Sequence, residues 1–108
     1  MEQLAPLGDI TLRRMFGKIG VFCNGVMFAV LTDGSLYFRV DDDNKAAFKE
    51  TERFAPLNYM RGNRTIILPY RLMPERLLDD PVELVVCARS SLAAAYRTTS
   101  QTGHGYRK

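Results

Sequence analysis

Runs of apolar and alternating residues in the first forty positions predict a three-stranded antiparallel meander. The first strand spans residues 10–23 and is interrupted by a bend or bulge at Gly17 and Gly20. Apolar residues then run continuously from 26 to 31. Residues 36–40 alternate between apolar and polar side chains, which is the two-residue period of a half-buried strand. One face of this sheet therefore needs a cover.

Two dipeptides mark the turns of the meander. Asn24-Gly25 lies between apolar runs and is a strong signal for a tight hairpin, because both residues tolerate a positive φ. Residues 32–35 form a second turn signal, with Gly34 at a position that favours a positive φ. Before the meander, residues 2–4 form only a stub of helix, because Pro6 and Gly8 prevent the helix from continuing.

The middle of the chain predicts a short helix and a second hairpin. Asp43 or Asn44 can cap a helix that runs to about Glu50. The hairpin pairs residues 57–60 with residues 65–70, and Pro69 restricts its second strand to a sheet edge or stands at its last pair. The predicted sheet then has five strands.

A long amphipathic helix is predicted after a short one that starts at Pro74. Asp80 is the cap, Pro81 is the first helical residue and Glu83 stands where a capping box places an acidic residue. The helix runs to about Tyr96, and its core-facing positions recur at helical spacing. These positions are Leu84, Val85, Cys87, Ala88, Ser91, Leu92 and Ala95.

The order of elements predicts one two-layer α+β domain with an antiparallel sheet of about five strands, in the order α-β-β-β-α-β-β-α. We expect the domain to span residues 1–97 and a flexible basic tail to span residues 98–108. The length of 108 residues is enough for one core without metals or disulfides. The 46% hydrophobic and 25% charged composition is that of a globular protein.

The net charge of +3 comes from the tail, since residues 1–95 hold twelve basic and twelve acidic side chains. Bulk charge therefore does not favour a domain that coats DNA. Two basic groups in the body form a candidate interaction patch if they meet in space, and otherwise are ordinary solvated surface. The candidate patch consists of Arg13, Arg14, Lys18, Arg61 and Arg64.

The two cysteines, Cys23 and Cys87, lie in apolar surroundings without CxxC spacing, which predicts buried, reduced thiols. The N-terminus lacks the pattern of a signal peptide, and no apolar run has the length of a membrane helix. We therefore expect a cytoplasmic location.

The sequence offers little for catalysis, metals or cofactors. The only histidine, His104, lies in the predicted tail, where nothing holds it beside a nucleophile. The acidic run at residues 41–44 lacks the EF-hand spacing and is better explained by helix capping. The glycines at 17 and 20 are too close for a phosphate loop. We expect no enzyme activity, no metal and no cofactor, which leaves binding to a macromolecule.

The segments at residues 14–17, 20–22, 25–29 and 33–41, with Pro69-Tyr70, Pro74 and the long helix after them, resemble the N-terminal domain of the TfoX/Sxy regulators of DNA transformation competence. The resemblance implies an α+β domain similar to secretion chaperones. It also implies a regulatory role with the cyclic-AMP receptor protein at promoters of competence genes. The resemblance further implies that relatives carry a C-terminal domain related to helix-hairpin-helix modules, which we would expect to begin where this chain ends.

Two classes of function are compatible with these observations. The first is a transcription co-regulator that acts through a protein partner, with DNA contact from the candidate patch as a weaker expectation. The second is a stand-alone interaction or chaperone-like module without a promoter role. We also expect a homodimer, because the short leading helix leaves the apolar strand residues Val26, Phe28 and Val30 in need of a cover. The alternative is that the helices that start near residues 44, 74 and 81 cover the sheet. No contact with a membrane is expected.

Overall fold

The computed structural model describes the backbone of residues 2–106 and the side chains of residues 3–97. The strands are β1 (Ile10–Met15), β2 (Lys18–Cys23), β3 (Val26–Thr32), β4 (Ser35–Arg39), β5 (Asn58–Arg61), β6 (Arg64–Ile67) and β7 (Tyr70–Leu72). Three 3-10 helices span Glu2–Leu7, Lys45–Thr51 and Glu75–Asp79. The first continues through Pro6 to Leu7, so it is longer than the predicted stub over residues 2–4. The helix α1 spans Pro81–Tyr106.

The sheet has five strands in the order β1-β2-β3-β4-β7, and every neighbouring pair is antiparallel. The strands β5 and β6 form a separate two-stranded ribbon that is inserted between β4 and β7 along the chain. The predicted α+β class and the five-stranded antiparallel sheet are confirmed, but the predicted second hairpin is not part of this sheet.

Tight two-residue turns join the first four strands. Both predicted turns are present, and Asn24-Gly25 and Asp33-Gly34 adopt positive φ at both residues. This is the type I′ geometry that matches the twist of paired strands.

A third turn of the same kind lies at Phe16-Gly17, with φ of 53° and 76°. It corrects the prediction of one interrupted strand over residues 10–23, because the chain reverses here and makes two strands, β1 and β2. The turn was not predicted because a bulky residue rarely takes a positive φ.

A bulge in β3 decides which side chains face α1. Val21 pairs with Ala29, but Phe22 pairs with Met27, so Phe28 is the extra residue. The bulge turns Phe28 to the α1 side and Val30 to the other side.

Phe28 is fully buried beneath α1, and Val30 is buried against Leu57 and Tyr70. Both residues are thus covered within the chain, and the expectation that they need a cover from a second copy was wrong. The homodimer itself stays a prediction.

The main core lies between the sheet and α1. Phe38 stacks on Phe28 at 6.3 Å between ring centroids and packs against Phe48 at 6.0 Å. From α1, the buried residues Leu84, Cys87, Ala88 and Ala95 complete the core, as the helical spacing predicts. The Asp80 cap is also confirmed, since Oδ1 of Asp80 accepts a hydrogen bond from the N–H of Glu83 at 3.1 Å.

The opposite face of the sheet, which we call the outer face, is covered over β3, β4 and β7 by the segment around the ribbon. Leu57 and Leu68 pack there against Val30, Tyr37 and Tyr70. The predicted hairpin strand over residues 65–70 is shorter than expected and ends at Ile67. Pro69 interrupts it, and Tyr70 begins β7 at the edge of the main sheet.

The backbone of α1 continues to Tyr106, ten residues beyond the predicted end at Tyr96. Among its side chains up to Arg97, the last buried one is Ala95. Residues 107 and 108 and the side chains from residue 98 onward, including His104, lie outside the described part of the chain. The flexible tail over residues 98–108 therefore stays a prediction.

Candidate interaction surface

The hairpin of β1 and β2 ends in an exposed phenylalanine. Phe16 is 96% exposed and occupies the first position of the type I′ turn. A positive φ at a bulky residue costs roughly 1 kcal/mol or more, and the ring gains no packing inside the chain in return. Phe16 was not among the predicted interaction residues, and the one signal for it in the sequence is its place before Gly17 between two strand-like runs.

The surroundings of Phe16 are basic. Residues 10–32 contain Arg13, Arg14 and Lys18 and no Asp or Glu. Lys18 pairs with Met15 directly beside the turn, and both arginines are exposed on β1. The tip of this hairpin therefore presents an aromatic ring flanked by cations.

The outer face of the same hairpin is apolar. Gly20 leaves room for its neighbours there, since a Cβ at this position would lie 2.8 Å from Sδ of Met27 and 3.2 Å from Cε of Met15. Phe22 lies in the same group, and the Arg13 guanidinium sits over its ring at 5.0 Å from the centroid. Met15, Phe22 and Met27 are half-buried and form a small apolar area next to the tip.

The five residues of the candidate patch do not share one face. Arg13 pairs with Gly20 on the outer face, whereas Arg14 pairs with Ile19 on the α1 side, because neighbouring strand residues alternate. Arg61 and Arg64 pair with each other at the end of the β5-β6 ribbon, in a different sheet. That these five residues act together as one interaction patch stays a prediction.

The β5-β6 ribbon carries positive charge of its own. Residues 53–74 include four arginines and no acidic residue. Arg61 and Arg64 flank the turn at Gly62, whose φ is 64°, and both are exposed. Tyr59, Met60 and Ile67 are exposed on the same ribbon. This arrangement suits contact with an anionic surface.

The acidic residues after β4 stabilise the fold through hydrogen bonds and an ion pair. The Asp41 carboxylate accepts hydrogen bonds from the N–H groups of Asp43 and Asn44 and pairs with both Nε and Nη2 of Arg97 on α1, at 2.7 and 2.9 Å. The hydrogen bond from Arg97 holds the pKa of Asp41 below its ordinary value.

The Asn44 side chain is buried between the same elements. Its Oδ1 accepts from the N–H of Asp41 at 2.7 Å, and its Nδ2 donates to the Arg39 carbonyl at 3.0 Å. The acidic loop is thus tied to α1 and to β4. Asn44 directly precedes the helix Lys45–Thr51, but its side chain makes no capping hydrogen bond to that helix, so the predicted side-chain cap was wrong.

Both cysteines are free and buried, as predicted. Cys23 donates through Sγ to the Leu7 carbonyl at 3.6 Å. Burial raises the pKa of Cys23, and it raises the pKa of Cys87 to about 11. Both thiols are therefore protonated at neutral pH and are poor nucleophiles.

A groove of about 620 Å³ is lined by residues of β3, β4 and β7 and of the three 3-10 helices. Its lining includes the apolar Leu36 and Met73 and the charged Glu50 and Arg76. These two charges pair with each other at 2.8 Å. In the described residues, no three side chains of His, Cys, Asp or Glu come together to hold a metal ion.

None of the helices in the described part of the chain is long and apolar enough to cross a membrane.

Comparison with known proteins gives two kinds of match. A model of the TfoX N-terminal domain family matches residues 2–95. The chain is 31% identical over 99 residues to protein Sxy of Escherichia coli strain K12, a match that covers 92% of this chain and 47% of Sxy. It is 44% identical over 50 residues to DNA transformation protein TfoX1 of Aliivibrio fischeri, covering 44% of this chain and 24% of TfoX1. The chain thus matches less than half the length of these relatives.

Proposed function

Because this chain belongs to the TfoX N-terminal domain family, we propose that it is a regulatory domain that binds another macromolecule and carries out no catalysis. The names of its relatives support a role in DNA transformation competence. From the resemblance to the TfoX/Sxy regulators, we infer that its partner is a transcription regulator, the cyclic-AMP receptor protein, acting at promoters of competence genes. A protein with this role works in the cytoplasm, and we propose that location for this chain.

The observation that carries the proposal is the exposed ring of Phe16. An aromatic residue held at positive φ and 96% exposed lowers the stability of the isolated chain. Aromatic residues that fill a pocket on a partner contribute heavily to protein interfaces. Phe16 is therefore an anchor for a partner, and Arg14 and Lys18 favour a pocket with carboxylates at its rim.

The test measures binding of the purified chain to the cyclic-AMP receptor protein on a competence promoter, by fluorescence anisotropy of the labelled DNA. Phe16→Asn keeps a residue that tolerates positive φ but removes the ring. We expect affinity for the regulator–DNA complex to fall about thirtyfold, the size of a typical anchor residue.

The matched control is Val82→Asn, which removes another apolar side chain, 76% exposed on the first turn of α1. It should bind as the unaltered chain does. Equal binding by Phe16→Asn and the unaltered chain would show that the tip is not the anchor.

The β5-β6 ribbon supports a second contact, with DNA. Residues 53–74 contain no Asp or Glu that would weaken the attraction between the arginines of the ribbon and an anionic partner. If Arg61 and Arg64 contact phosphates, the affinity for promoter DNA alone falls steeply with salt, and the slope becomes shallower by about two when both are changed to Gln. An affinity independent of salt would exclude this contact. If neither the regulator nor DNA binds, the chain is better described as a stand-alone interaction or chaperone-like module.

A further inference from the structure

One edge of the main sheet is exposed. β1 is the last strand of the sheet, and its residues 11–14 are exposed, with Leu12 at 53%. In the described part of the chain no further strand lies beyond it. An open edge of this kind presents unpaired backbone groups to other chains.

The backbone groups that point outward can be identified. The Asn24 N–H donates to the Asp9 carbonyl at 3.0 Å, and the register places these two residues opposite each other. Hydrogen-bonded pairs alternate along an antiparallel ladder, so Thr11 and Arg13 also point their N–H and C=O groups at β2. Ile10, Leu12 and Arg14 point theirs outward.

We propose that a second copy of this chain pairs with this edge, β1 against β1, around a two-fold axis perpendicular to the sheet. The proposal does not rest on the proposed function. Such an axis makes the strands antiparallel and keeps α1 of both copies on one side of the joined sheet. Only registers centred on a single residue satisfy this symmetry.

The side chains of β1 select one register. Centring the axis on Thr11 places Asp9 opposite Arg13 of the second copy, on the outer face, twice over. It also places Ile10 opposite Leu12, so the exposed leucine gains an apolar neighbour. Centring on Arg13 would oppose two like charges, and centring on Leu12 would leave Asp9 opposite Met15.

The interface is small. Pairing over about four residues buries less than the roughly 1,200 Å² of a stable complex, so the dimer forms reversibly with concentration. Sedimentation equilibrium of the full chain, from micromolar to millimolar concentration, should show a mass that rises from 12.3 kDa toward twice that value. A constant monomer mass over the whole range would overturn the proposal.

A proline substitution tests the edge. Leu12→Pro removes an outward N–H, which an edge strand tolerates, and should give a monomer with an unchanged melting temperature. Thr11→Pro removes an N–H that points at β2 and should instead lower the melting temperature. If Leu12→Pro associates as strongly as the unaltered chain, the edge is not the interface.

Charge exchange tests the register. Arg13→Asp or Asp9→Arg alone opposes like charges at both symmetric sites and should weaken association about tenfold. The double variant, with Asp9→Arg and Arg13→Asp together, restores opposite charges and should restore association. A double variant as weak as the single variants would exclude the Thr11-centred register. Thermal unfolding of each variant shows whether it is folded.

Discussion

Phe16 is a single residue whose conformation works against the stability of the chain. Its φ of 53° is strained for a phenylalanine, and its exposed ring gains little from folding. We predict that Phe16→Asn raises the free energy of unfolding by about 1 kcal/mol, because Asn adopts this conformation at lower cost.

Urea unfolding measures this difference. Asn24→Ala is the matched opposite case, since it removes a favourable residue from the same position of the next turn and should destabilise. A Phe16→Asn variant that is less stable than the unaltered chain would show that the ring packs against the domain. A gain in stability combined with a loss of binding would separate the two roles of the residue.

Cys87 is a second residue whose chemistry is set by its surroundings. Burial raises its pKa from 9.0 to about 11, so the folded chain favours the protonated thiol. Because the pKa is higher in the folded chain, the protonated thiol contributes fully to the free energy of unfolding below about pH 9. This contribution is lost as the pH rises toward 11.

We predict that Cys87 is not alkylated in the folded protein at pH 8 and is alkylated in urea. The stability of the unaltered chain should fall between pH 9 and pH 11 by more than that of Cys87→Ala, which has no thiol to ionise. Mass spectrometry after maleimide treatment measures the first effect and urea unfolding the second. Rapid native labelling would contradict the buried position.

Among the elements, α1 is joined to the loop after β4 by the pair of Arg97 and Asp41. Arg97 lowers the pKa of Asp41, so the pair stabilises the fold above the ordinary pKa of a carboxyl, and this stabilisation is lost as the pH falls through the lowered value. We predict that Arg97→Gln is less stable than the unaltered chain at neutral pH, and that the difference disappears in acid.

Urea unfolding at several pH values tests this. Lys45→Gln is the control, because Lys45 and its partner Asp42 are both largely exposed and contribute little. A difference for Arg97→Gln that persists below the titration of Asp41 would mean that Arg97 acts through packing and not through the ion pair.

The elements also show how far the sequence specifies this fold. Asn24-Gly25 and Asp33-Gly34 predict their turns because small or polar residues signal positive φ, and Asp80-Pro81 predicts the start of α1 for a similar local reason. The turn at Phe16 was not predicted, because the hairpin requires a positive φ there and phenylalanine rarely adopts one.

Other features of the fold depend on contacts between residues far apart in the sequence and could not be predicted from neighbouring residues. The bulge at Phe28 accompanies the burial of β3 on both faces, with Phe28 in the core under α1 and Val30 against Leu57 and Tyr70. Pairing of β7 with β4 requires the chain to return after the whole ribbon. The basic residues were found from composition, but their separation onto two sheets and two faces results from register, which the sequence alone left open.

At the scale of the whole molecule, the core residues that α1 contributes, among the side chains described up to Arg97, all lie at or before Ala95. The α1 residues that join the main core run from Leu84 to Ala95. We therefore predict that a chain ending at Arg97, with residues 98–108 deleted, unfolds at the same temperature as the full chain. Differential scanning calorimetry measures this.

The control is a chain ending at Leu92, which loses the buried residues Ala94 and Ala95 and should melt at a clearly lower temperature. A large loss on deleting only residues 98–108 would show that the end of α1 contributes to the fold.

The three two-residue turns determine the order in which the strands of the sheet pair during folding. β1 to β4 meet neighbours that are adjacent along the chain, so these hairpins close small loops. β7 reaches β4 only after residues 40–69 have closed as one large loop. Pairing that costs more loop entropy forms later, so the meander folds first and the edge at β7 last. Substitutions in the turns should then slow folding, whereas substitutions in β7 should mainly speed unfolding.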